Sequence, residues 1–119
     1  MPFAFEKLIV YQKALDLADR VFSVTCEFPR GYYFLRDQLN RAVVSISTNI
    51  AEGNERFTAK DRKYFFGIAR GSVQECVPLM ELAVRRNFIE REAHQTLCSD
   101  LQEISKMLSG LIKGVGDRE

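Results

Sequence analysis

Four successive stretches of this chain space their apolar residues alternately three and four apart, the interval that lines one face of an α-helix. The first runs through Leu8, Tyr11, Leu15, Ala18 and Phe22, with a second row, Ala14, Leu17, Val21, Val24 and Phe28, beside it. Two adjacent rows make a broad apolar face, wider than a two-helix seam needs. Phe28-Pro29-Arg30-Gly31 then ends the helix with both strong breakers. A second helix is expected from about Tyr33 to Gly53, with Leu35, Leu39, Ala42, Val43, Ile46 and Ile50 inward and Gly53-Asn54 as its stop.

The third helix is expected from about Ala59 to Arg86, opened by a capping box of Thr58 with Asp61 in the usual Glu position. Phe65, Ala69, Ser72, Cys76, Leu79 and Ala83 keep one face in register, and Pro78 predicts a bend. Gly67 and Gly71, one turn apart, suggest close contact with a neighbouring helix. Asn87-Phe88-Ile89 is a short connector. A fourth helix follows from about Glu90 with Leu97, Leu101, Ile104, Leu108, Leu111 and Val115, ended by Gly114 and Gly116 before a frayed tail. Leu39, Ile46, Ile68, Leu79, Leu101 and Leu108 are expected to be buried.

Short connections between four helices predict an antiparallel up-and-down four-helix bundle, all-α, in a single domain over 1–119 with an ordered core of about 5–115. The length fits one domain and 46% apolar residues suffice for a core. The first residues lack the apolar run of a signal peptide, and no stretch approaches a bilayer span of roughly 18 apolar residues. Cys26, Cys76 and Cys98 are odd in number, far apart and set within helical patterns. They are expected to be reduced thiols of a cytoplasmic protein, not a disulfide or zinc framework.

Catalytic patterns are absent. Bundle di-metal sites need several Glu residues and Glu-x-x-His pairs. Here His94 is the one histidine and Arg91 stands three before it. His94 is expected to be a solvated surface residue, and a lone histidine gives little support to a Ser or Cys nucleophile. Gly67-Ile68-Ala69-Arg70-Gly71-Ser72 lies within a helix, unlike a phosphate loop. We therefore expect no enzyme, metal or cofactor.

Two polar sets remain: Gln38, Arg41, Ser45, Asn49 and Glu52 on the second helix, and Arg70, Ser72 and Glu75 on the third. They fit either a ligand cleft or, preferably, an interhelical or intersubunit hydrogen-bond network. Charge is also uneven. The whole chain carries +1, but residues 56–70 hold Arg56, Lys60, Arg62, Lys63 and Arg70 against Asp61, a local +4 that leaves −3 elsewhere. Phe57, Tyr64, Phe65 and Phe66 lie among those cations. Such a segment could hold phosphates and stack bases, or could be an ordinary solvated face.

The run Gln38-x-x-Arg41-Ala42-x-x-Ser45-Ile46-x-x-Asn49-Ile50-Ala51-Glu52-Gly53 is distinctive, with Arg56 after it and Ile68-Ala69-Arg70-Gly71-Ser72-x-x-Glu75 beyond. With Phe5-x-x-Leu8-x-Val10-Tyr11-Gln12-x-Ala14 and Phe28-Pro29, it resembles the bacterial four-helix-bundle proteins encoded in intervening sequences of 23S ribosomal RNA genes. Tyr11, Gly31 and Phe34 depart from the family's common Trp, acid and Gly. The resemblance implies an up-and-down bundle assembled as a ring, typically a pentamer, with no known enzymatic activity. Relatives include the basic accessory proteins of diversity-generating retroelements, which bind nucleic acid and partner a reverse transcriptase. The resulting expectation is an oligomeric scaffold that engages RNA or a ribonucleoprotein, the alternative being a protein-binding adaptor ring.

Overall fold

The computed structural model describes residues 3–116. After a short 3-10 turn at Ala4–Lys7, four helices follow: α1 (Ile9–Thr25), α2 (Tyr33–Asn54), α3 (Ala59–Arg85) and α4 (Arg91–Val115). No strand occurs among the described residues. Each helix packs on two neighbours in the order α1, α2, α3, α4 and back to α1. The bundle measures 48 × 28 × 22 Å. The expected all-α up-and-down fold is the observed one. The bounds of α2, α3 and α4 fall within one residue of those expected, whereas α1 stops at Thr25, three residues short of Phe28 at the end of its apolar row; the tail at 117–119 lies outside the described residues.

Polar contacts tie each antiparallel seam. Thr25 Oγ1 bonds Asn40 Oδ1 at 2.8 Å between α1 and α2, and Ser72 Oγ bonds Ser45 Oγ at 2.8 Å between α2 and α3. Arg70 Nη1 donates to Ser109 Oγ at 3.3 Å between α3 and α4. Two ion pairs, Lys13–Glu103 at 2.8 Å and Arg20–Asp100 at 2.6 Å, close the ring of helices between α1 and α4. The core between them is apolar: Leu17, Leu39, Ile46, Ile50, Phe66, Met80, Leu101, Ile104 and Leu108 are the large side chains buried there.

The broad apolar face of α1 is only partly used within the chain: the second row, with Val10 and Ala18, turns inward, and Leu15 and Phe22 of the first row remain 39% and 40% exposed. Two expectations of the core need correction. On α3, Phe66 is fully buried while Phe65 is half-buried, so the inward face lies one residue further along at the start of the helix. Ile68 is likewise half-buried. α3 includes Pro78, which is exposed.

The termini follow local chemistry. Thr58 Oγ1 accepts from Asp61 N at 3.1 Å, the forward half of the expected capping box. Asn87 takes φ of 65° at the end of α3, where Phe88 N bonds Ala83 O and Asn87 N bonds Val84 O. That paired closure is a Schellman motif with Asn in the usual glycine position. Phe28, Tyr32 and Phe88 stack behind it and plug this end of the bundle, with ring centroids 5.4 and 4.7 Å apart.

Candidate nucleic-acid interface

At the opposite end, α2 turns into α3 through Glu55, Arg56, Phe57 and Thr58. Gly53 allows the turn to sit close. A Cβ there would lie 2.8 Å from the Phe66 ring, so its role is tight packing of α2 on α3 within the last turn of α2. The turn thus presents its polar side outward over a fixed aromatic base.

Four of the five cations gather here, but they are not equivalent. Arg56 pairs with Glu52, one helical turn earlier, and its guanidinium lies 4.6 Å from the Phe65 ring centroid. Arg62 donates from Nη1 to Asn54 O at 3.1 Å and to Arg56 O at 3.4 Å. It therefore closes the carboxyl end of α2, where carbonyls lack helical partners and the dipole favours a cation. Lys60 is exposed and Lys63 half-buried on the outer side of α3. Arg70 is set apart, about 10 Å further along the axis from Lys63 at the helical rise, and is tied to Ser109. Two exposed aromatics neighbour the lysines in sequence: Phe57 is fully exposed at 101%, and Tyr64 is 64% exposed with its ring edge-on to Phe65 at 5.1 Å.

The polar sets divide in the same way. Ser45, Asn49 and Ser72 form one network across the α2–α3 seam: Asn49 Nδ2 donates to Ser45 O at 2.8 Å and to Ser45 Oγ at 3.0 Å, and Ser72 bonds the same hydroxyl. Gln38, Arg41 and Glu75 stay exposed outside it, and Glu52 is turned to Arg56. Among the described residues the set therefore does not form one network. Gly67 and Gly71 also depart from expectation: a Cβ at either would meet nothing within 4 Å, so no helix of this chain approaches them.

His94 differs from its expected solvation. It is half-buried, with Nε2 3.2 Å from Cys98 Sγ on the next turn of α4. Their four-residue spacing was the available signal. Burial, and then the Glu81 carboxylate, pushes the Cys98 thiol pKa up, which disfavours the thiolate. No group of three or more His, Cys, Asp or Glu side chains suited to a metal occurs among the described residues.

Comparison with known proteins decides the family. The profile described as 23S rRNA-intervening sequence protein matches residues 6–110. The chain belongs to that family. It is also similar to a crystal structure of a protein of unknown function from the S23 ribosomal protein family of Bacteroides thetaiotaomicron VPI-5482. The two share 27% identity over 88% of this chain and 99% of that one, with a TM-score of 0.83. No curated protein matches. Neither match indicates a catalytic activity, and no helix here is long and apolar enough to cross a membrane among the described residues.

Proposed function

We propose that this member of the 23S rRNA-intervening sequence family is a non-enzymatic, ring-forming scaffold that holds RNA at the α2–α3 turn. The observation that carries the reading is the pairing of cations with uncovered rings: Lys60 and Lys63 beside Phe57 and Tyr64. A fully solvated ring such as Phe57 is unfavourable unless something stacks on it, and neighbouring lysines supply the phosphate attraction that single-stranded RNA requires. The Arg62 contacts to α2 hold the turn in place, so its cation serves the fold first.

Assembly multiplies this effect. Leu15, Phe22 and Val44 leave 39%, 40% and 42% of their surface uncovered on α1 and α2. A second subunit would cover them, and a head-to-tail contact must close into a ring or polymerise. A ring of five, as the family resemblance suggests, repeats the local +4 in each subunit and turns a modest charge into a continuous basic band.

The test is retention of a labelled single-stranded RNA at low salt by the wild-type protein and by Lys60→Glu with Lys63→Glu. Binding is expected to be tolerant of sequence and to weaken as salt rises, and the double variant should lose about tenfold or more with unchanged helicity. Absence of wild-type binding at low salt would replace this reading with the protein-adaptor ring.

A further inference from the structure

At the end of the bundle where α1 begins and α4 finishes, a groove of about 880 Å³ opens between those helices and the start of α3. That volume lies within the roughly 300–1,000 Å³ of small-ligand sites. One wall runs along α4 from Met107 through Leu111 to Val115, about 12 Å of helix at the usual rise. Gly110 and Gly114 lie on the same wall, and a Cβ at either would meet nothing within 4 Å. Packing within the chain therefore does not require these glycines, although glycine is among the poorest helix formers. The groove is what they create.

Its charge is one-sided. Among the described residues, Lys7 and Arg62 line it and no carboxylate does. Lys7 stands beside the start of α1, where Leu8 at the N-cap has no side-chain oxygen to offer the first-turn amides, so the helix dipole adds to the lysine's field. Two further apolar side chains at this end, Ile9 and Phe57, are 66% and 101% exposed. The arrangement is an apolar trough two helical turns long, positive at one side. It matches one tail with one anionic head.

We propose that this groove binds a medium-chain carboxylate, its acyl chain lying along α4 over Gly110 and Gly114 and its carboxylate at Lys7 and the start of α1. Calorimetric titration of the full chain with sodium decanoate, kept below its micellar concentration, should show saturable binding of one molecule per chain. Decanol should bind several-fold more weakly and decyltrimethylammonium should not bind. Gly110→Leu with Gly114→Leu fills the trough and should weaken decanoate about tenfold or more, with helicity and oligomer mass retained. Lys7→Glu, outside the core, should weaken decanoate about threefold while leaving decanol unchanged, and decides the matter should the leucine pair fail to fold. Absence of saturable binding, equal binding of the three decyl probes, or decanoate binding indifferent to Lys7→Glu overturns the assignment. A folded leucine pair of lower oligomer mass also overturns it, by giving the trough to a second copy of the chain. RNA retention plays no part in any of these readings.

Discussion

Cys26 is exposed at the end of α1, Cys98 is half-buried, and Cys76 is sealed in the core. Burial, with a smaller contribution from the Glu75 carboxylate, pushes the Cys76 thiol from 9.0 up to about 12. In the unfolded chain that thiol ionises near its ordinary value, so the folded state holds the extra proton between the two. Stability from this group is complete below pH 9.0 and is lost as pH rises toward about 12, at about 1.4 kcal/mol per pH unit in the steepest part. Mass-resolved alkylation at pH 8 should modify Cys26 first and Cys76 only on unfolding. Glycines divide as sharply. Gly53→Ala meets the Phe66 ring at 2.8 Å and should destabilise by about 1–3 kcal/mol. Gly110→Ala meets nothing within 4 Å and should stabilise by about 0.5–1 kcal/mol. Denaturant midpoints check both. Reading the chain in order identifies glycines but not what approaches them: Gly53 stands in the last turn of α2, as read, yet its close approach to Phe66 shows only in three dimensions, and Gly67, read as a contact, has nothing within 4 Å of a Cβ. Arg62 was legible as a cation, whereas its bond to Asn54 O depends on how α2 meets α3.

At the scale of helices, periodicity carried most of the fold because apolar burial, repeated every turn, decides which face turns inward. Leu101 and Leu108 of α4 are 1% and 0% exposed, as their spacing implied. Replacing either by Ala should cost about 2–5 kcal/mol in chemical denaturation. The errors fell where two apolar rows compete. On α1 the two rows already read as a face too wide for the bundle, whereas on α3 the adjacent Phe65 and Phe66 offer faces one residue apart. Period alone cannot choose between them; the position of the next helix does. Pro78 lies on the outer side of α3, where its missing amide leaves Gln74 O without its helical donor. Pro78→Ala should therefore raise the thermal midpoint, by the equivalent of about 1–3 kcal/mol.

For the whole molecule, apolar surface left uncovered on α1 and α2 leads to the expectation of a ring. Light scattering at micromolar concentration should return a multiple of the 13.7 kDa chain mass. Leu15→Glu with Phe22→Glu should reduce that mass to a monomer while far-ultraviolet circular dichroism stays helical. The long axis of 48 Å separates two working ends. The α2–α3 turn, the groove and both ends of the described chain share one of them; the α1–α2 connection with Cys26 occupies the other. A purification tag or fusion partner at either terminus would crowd the surface where ligands are sought, and a failed binding measurement on such a protein would mislead. A maleimide fluorophore at Cys26 would stand at the far end, turning that thiol into a reporter position from which occupancy of the other end could be followed by energy transfer.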